Sequence, residues 1–482
     1  MFAWRLRADG LDRREFRITA VAAAVAALAA LEGVHKLGTA GLLAPVAIGL
    51  VVVLLSNSLA MTAFVVGIVV LCEGASFGLF SFTAKLYTHA TVLNVMVALV
   101  VVSVGLDLLR RRESLWLPGA LLLPLGILAL AMIAGIATGH GAGVSLSTTL
   151  HKENVLAYLL FLPIAVANLR LDRRQVSLLL CGVFALALVK AFLGLAEIGS
   201  GHGATIEGSS SLTYYEPTAN WLIMIALLGV VAALVARVRV PLWMLLGSPL
   251  LIGSLLLSYR RSFWIATALC LLLVVLLALS PVGRRLLVPT ALLVAVAISL
   301  LGSTHFQSAQ SPLLKRAASL NPTSLTANVE DRYRLDERAN VLADVLKHPI
   351  TGLGIQVPWE ATARGLPIEH GAEARQYVHF AALWFWMKLG ILGLIAYVSL
   401  LIGSAVLAWR VWRRSDEPLL RAFGLASLCG FAGLVVIETT ATFTAADPRF
   451  TVLLGAQIGL LALLTRRRAS ESPEELPSAV GS

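Results

Sequence analysis

Arginine stands back to back at Arg260 and Arg261, in the stretch LLLSYRRSFWIA (255–266), between two long apolar runs. Two guanidinium groups at the tip of a tight hairpin in so apolar a chain are costly unless an anion compensates them. Arginine's planar fork suits phosphate oxygens; a single arginine could instead snorkel to lipid phosphates. Arg334 and Arg338 lie one turn apart in VEDRYRLDERANVLADVLK (329–347). They offer the same anion chemistry, or else solvated ion pairing such as Glu330 with Arg334 at i, i+4, worth about 0.3–0.5 kcal/mol. His379 opens the run HFAALWFWMKLGILG (379–393) and is either an interfacial aromatic or a base poised near neutral pH. The nine histidines are scattered without metal-ligand spacing, so no metal site is expected. Lys190 and Glu197 share one face of an apolar run, where they pair or line a cavity. Asp447 and Arg449 read as a local ion pair.

The elements that must position these groups are membrane helices. Of the 482 residues, 58% are hydrophobic and 13% charged, with a mean hydropathy of +0.85. Lipid is therefore the solvent for most of the chain. The apolar runs are continuous rather than alternating, which excludes a β-barrel. The expected class is an all-α, polytopic membrane protein with about twelve to fourteen spans of roughly 20 residues. The runs fall at 18–34, 40–56, 59–74, 90–109, 115–137, 153–169, 175–196, 217–236, 241–257, 263–280, 286–302, 380–408, 419–437 and 450–465. Cys72, Cys181, Cys270 and Cys429 all fall inside or at the edge of such runs and read as small core residues.

Every second connector is rich in arginine: the N-terminus, Arg110–Arg112, Arg170 with Arg173 and Arg174, Arg237 with Arg239, Arg284 with Arg285, Arg410 to Arg421, and Arg466–Arg468. The positive-inside rule makes that side cytoplasmic, with both termini on it. The net charge of +11 is then mainly a topology signal and does not point to nucleic acid. Arg260 and Arg261 fall on the other side, against the orientation bias. So does the long segment 303–378, where NPTSLTAN precedes an amphipathic helix over 329–347. Val341, Leu342, Val345 and Leu346 are expected to form its apolar side, and HPITGLG (348–354) to end it. The organisation reads as a basic N-terminus (1–17), an N-terminal bundle (18–302), an extracytoplasmic loop (303–378), C-terminal helices (379–465) and a disordered cytoplasmic tail (466–482).

Three of these stretches resemble the O-antigen ligase and polymerase superfamily of bacterial inner membranes. SYRRSFW (258–264) is similar to its Ser-Arg-small-x-Trp element, with Arg261 and Trp264 at the arginine and tryptophan positions. RLDERANVLADVLKHPITGLG (334–354) is similar to its arginine-led helix ending in His-Pro and Gly-x-Gly, with Arg334 leading. HFAALWFWMKLGILG is similar to its histidine before a Gly-x-x-Gly span, with His379, Gly390 and Gly393 in place. The chain departs from the family at Phe380, where Asn is common, at Lys388, commonly acidic, and at Arg338, usually Trp.

The resemblance implies a glycosyltransferase that needs no cofactor or metal. It would move a glycan from a polyprenyl (undecaprenyl) diphosphate to a sugar hydroxyl on the extracytoplasmic face. Arg261 and Arg334 would stabilise the leaving diphosphate, and His379 would deprotonate the acceptor. Arg260, Arg338, Lys152 and Glu216 would bind substrate. Without the resemblance, Glu216 reads as charge compensation at a helix start, beside Pro217. Its partners would be the lipid-linked donor, a glycan or lipid-glycan acceptor, membrane lipids and polysaccharide assembly proteins. The envelope product would be lipopolysaccharide or exopolysaccharide. The competing class is a transporter or flippase of lipid-linked oligosaccharides, which would show internal repeats; none is visible.

Overall fold

The computed structural model describes residues 54–71, 85–87, 90–152, 154–199, 204–206, 209–212, 217–278, 329–366, 371 and 374–471. The expected basic N-terminus, the runs at 18–34, 40–53 and 286–302, the segment 303–328, Arg284, Arg285, Glu216 and the end of the tail lie outside the described residues. In chain order the elements are α1 (Ser58–Leu71), β1 (Lys85–Tyr87), β2 (Ala90–Thr91), α2 (Val92–Arg111), α3 (Gly119–Gly141), α4 (Leu146–Lys152), α5 (Asn154–Ala167), α6 (Arg173–Gly199), β3 (Ala204–Ile206), β4 (Ser209–Leu212), α7 (Pro217–Val235), α8 (Leu242–Leu256) and α9 (Arg261–Ala278). Then follow α10 (Val329–Lys347), a 3-10 turn (Ala374–Gln376), α11 (Ala381–Arg414), α12 (Pro418–Glu438), α13 (Phe443–Ala446) and α14 (Pro448–Glu471).

The protein is an all-α polytopic membrane protein. Among the described residues, eight helices are long and apolar enough to cross a membrane, and α1, α5 and α8 are shorter apolar helices. The strands form two short antiparallel hairpins in connectors. Helices α7, α12 and α14 are the most enclosed, while α6 faces outward. Of the cysteines, Cys270 and Cys429 are buried, Cys181 is half-buried, and all three are free thiols.

Arginine-rich helix ends gather on one face. Glu113 pairs with Arg111 at 2.9 Å, with Arg466 at 3.6 Å and with Arg170, joining the ends of α2, α5 and α14. Trp116 lies beneath Arg466, and Asn168 bonds both backbone groups of Trp116, at 2.9 and 2.8 Å. We call this the basic face and the other end of the bundle the site face.

The site face is organised by a break in α11. Gly390 has φ +67°, outside helical geometry, and interrupts the hydrogen-bond ladder. The turn after α10 fills the gap: Leu353 N donates to Met387 O (2.7 Å), and Ile391 N donates to Ile350 O (3.2 Å). The Trp386 indole donates to Pro349 O at 2.8 Å, and Ile355 N reaches Gly135 O of α3 at 3.0 Å. Lys388, fully buried, donates from Nζ to Val357 O at 2.6 Å. The GLG turn is thus a plug between α3 and the broken α11. A Cβ at Gly352 (φ +68°) would sit 2.6 Å from Met387 O, and one at Gly390 would sit 2.7 Å from Thr351 C.

Helix α10 departs from the expected pattern. Val341 and Val345 are buried, but Leu342 and Leu346 are exposed. Its buried face is instead largely polar: Tyr333, Asp336, Glu337, Asn340 and Asp344. The reason is the surface it meets. Asn340 Oδ1 accepts from Ala363 N and Arg364 N, both at 2.8 Å, and Asp344 accepts from Glu360 N at 2.6 Å. A loop's unpaired amides need acceptors, and acidic and amide side chains supply them.

Gly390→Ala should therefore introduce about 1–3 kcal/mol of backbone strain and separate the turn from α11. The expected reading is a lower Tm of the purified protein. An unchanged Tm would mean that the turn docks without this break.

Candidate active site

The hairpin between α8 and α9 presents the paired arginines. Ser258, fully buried, donates from its hydroxyl to Leu255 O (2.7 Å), and Tyr259 takes a left-handed φ of +55°. The Trp264 indole reaches back to Leu255 O at 2.9 Å, while Phe263 N and Trp264 N bond Arg260 O at 3.0 and 3.3 Å. The serine and tryptophan of SYRRSFW thus build the hairpin, and the arginines project from it.

Helix α10 lies against that hairpin. Arg261 Nη2 donates to both oxygens of Asp331, at 3.0 and 2.9 Å. Arg334, one turn on, places Nη1 3.6 Å from the same carboxylate. Arg260 stacks over the Phe443 ring at 5.0 Å. Further along α10, buried Glu337 accepts from His379 N (2.8 Å) and His379 Nδ1 (2.9 Å). A carboxylate only accepts, so Nδ1 carries the ring proton and Nε2 is the acceptor nitrogen. Tyr333 and Tyr377 stand edge-on to the imidazole, with ring centroids 6.4 and 4.8 Å away. Burial pushes the Tyr333 phenol up to about 12, reinforced by the charge and hydrogen bond of Glu337. Tyr377 is also pushed up to about 12 by burial, so both phenols are neutral hydrogen-bonding groups at ordinary pH.

Arg338 has a different environment. Its guanidinium donates to His379 O at 3.3 Å and to Thr439 O, and lies over Phe380 at 5.2 Å. Burial lowers its pKa, against the opposing charge of Glu337. It ties α10 to the start of α11 and the end of α12. With Phe380 beneath it, two of the family departures form one contact.

Five expected site residues, Arg260, Arg261, Arg334, Arg338 and His379, thus gather around α10. Among the described residues, Arg261 and Arg334 share the Asp331 carboxylate, and Glu337 holds His379. Lys152 ends α4, and nothing of its side chain is described. Lys190 is fully buried in α6, away from this cluster in the chain, and the Glu197 side chain lies outside the described residues. Arg334 pairs with Asp331 at i, i+3, and Asp447 pairs with Arg449 at 3.4 Å. Sequence reasoning missed Asp331, Glu337, Tyr333 and Tyr377. The available signal was their shared helical face with Arg334 and Arg338, or adjacency to His379.

A family model described as O-antigen ligase matches residues 246–398, from α8 into α11. This segment is similar to the O-antigen ligase family, which supports the resemblance to that superfamily. The match encloses the arginine hairpin, α10, the glycine turn and His379. It supports glycosyl transfer of the ligase or polymerase type as the general activity, with lipid-linked glycans as the class of substrate. No curated protein matches the chain in a sequence comparison.

Asp331→Ala should remove this carboxylate from Arg261, whose side chain is 12% exposed. Breaking a pair this enclosed costs about 3 kcal/mol, measurable as a lowered Tm. Asp331→Asn, which still accepts, should fall between Asp331→Ala and the wild type.

Proposed function

We propose that the protein transfers a glycan from a polyprenyl diphosphate to a sugar hydroxyl on the non-cytoplasmic face of a bacterial inner membrane. The observation that carries this reading is the arrangement on α10: Asp331 holds Arg261 and Arg334, and Glu337 holds His379, six residues further along one helix. Six residues rise about 9 Å, room for a diphosphate at one end and the attacking hydroxyl at the other. The site face lies opposite the arginine-rich face, which the positive-inside rule assigns to the cytoplasm together with both termini.

The acceptor oxygen attacks the anomeric carbon as the bond to the diphosphate oxygen breaks. The leaving group carries away the electron pair, and direct displacement inverts the configuration. Arg261, Arg334 and Arg260 face the charge that develops on the diphosphate. Guanidiniums stay charged without tuning and fork onto phosphate oxygens, so fixed side chains supply the positive charge. His379 Nε2 takes the proton of the hydroxyl, while Glu337 keeps the ring turned and stabilises the imidazolium that forms. Arg338 supports this geometry through the His379 carbonyl.

The test is transfer in vitro from a prenyl-diphosphate glycan to candidate acceptors. Arg261→Ala should abolish product while the protein still inserts in the membrane; near-normal product would remove the diphosphate role. His379→Ala should retain donor binding and lose about 10²–10⁴ in rate; undiminished turnover would place the base elsewhere. Glu337→Gln should lower kcat and leave the donor KM near the wild-type value.

A further inference from the structure

Helix α10 is amphipathic the wrong way round for a helix in water. Asp336, Glu337 and Asp344 are turned inward and buried, while Leu335, Leu342 and Leu346 are exposed. At 3.6 residues per turn those leucines fall within about 40° of one another, a single apolar stripe. It continues into the following turn, where Ile350 is 74% exposed and Leu346 before it is 59% exposed. Two cations flank the stripe, Arg332 near the start of α10 and Lys347 at its end; they pair with Asp336 at 3.8 Å and Asp344 at 2.7 Å, and their side chains remain 68% and 53% exposed. Leucines on one side with basic residues at the margins mark a helix lying in a membrane interface.

The depth of the turn agrees. α11 ends in Arg410, Arg413 and Arg414 on the basic face. The helix from Ile391 to Arg410 rises about 30 Å, the thickness of the hydrocarbon core. Gly390 therefore stands at the opposite boundary of the hydrocarbon. Ile350 O accepts from Ile391 N there, and the Trp386 indole, of a type enriched at such boundaries, bonds Pro349 O. The end of α10 and its turn are thus fixed at the level where acyl chains meet headgroups.

We propose that the Leu335–Leu342–Leu346–Ile350 edge of α10 is a lipid-binding surface, seated in the outer boundary of the bilayer. Arg332 and Lys347 reach the phospholipid phosphates beside it. The membrane then holds one side of the same helix that carries Asp331, Arg334 and Glu337. This placement does not depend on the transfer reaction, and its test reads no product.

The full chain is reconstituted in bilayers of phosphatidylethanolamine and phosphatidylglycerol carrying a diazirine near the top of the acyl chain. After photolysis, peptides spanning 335–350 should be labelled at least fivefold more than the exposed stretch at 360–365 of the neighbouring loop. In a second measurement, Leu342→Cys or Leu346→Cys carries a bimane fluorophore in a background lacking the native cysteines. Spin-labelled lipid should quench it strongly and aqueous iodide weakly. Quenching by iodide alone would make the stripe a water-facing surface. Quenching by neither would mean that protein covers it, a second copy or another partner. Either result, or equal labelling of the two peptides, overturns the proposal.

Discussion

Buried carboxylates on a helix too polar to cross the membrane hold the site face together. α10 is joined to the bundle by Asp331 on Arg261 near its start, Glu337 on His379 in its middle, and the glycine turn plugged into α11 at its end. Removing a carboxylate from water costs several kcal/mol, and attraction to a cation recovers that only with good geometry and full hydrogen bonding. Glu337 meets the condition with two donors from one residue, His379 N and Nδ1, at 2.8 and 2.9 Å. Asp331 meets it by spanning two arginines from different elements. Such bridges need not add net stability over an apolar contact. They specify register: shifting α10 by one residue would leave both acids without partners.

A second polar knot closes the opposite wall. Glu438, at the end of α12, accepts from Tyr397 at 2.9 Å and from both the backbone and hydroxyl of Thr444 at 2.7 Å. The loop it anchors also bonds the segment before α11: Thr442 N donates to the Tyr377 hydroxyl, and Thr442 Oγ1 donates to Val378 O. Phe443, carried on this loop, is the ring beneath Arg260, and Thr439 O receives Arg338. The arginines and the imidazole are therefore aimed by packing and hydrogen bonds on both sides. For the charge stabilisation proposed here, that matters more than their number, because fixed groups need not reorganise as charge develops.

Much of this was legible in the sequence, for specific reasons. Continuous apolar runs place α2, α3, α6, α7, α9 and α12 within a few residues of their observed ends. Arg260 and Arg261 stood out because a charge near lipid must have a cause, and Arg334 and His379 through the family resemblance. What stayed hidden depends on contacts between distant segments. Leu342 and Leu346 looked like core because the pattern gives the period of a helix but not the solvent on each side. Asp331 and Glu337 went unremarked because nothing nearby in sequence announces Arg261 or His379 as their partner. The kink at Gly390 was invisible because glycine in an apolar span is common. Only the return of Ile350 and Leu353 to that level makes it a break with a function.

The departures at Phe380, Arg338 and Lys388 follow the same logic. Arg338 and Phe380 stack on one another, and the arginine reaches two carbonyls that an indole could not bond together. Lys388, where the resemblance gives an acid as common, stands where the local need is for a donor: it donates to Val357 O of the loop, and a carboxylate there would meet an acceptor with an acceptor. Arg338 thus ties α10 to α11 and α12, and Lys388 ties α11 to the loop at Val357.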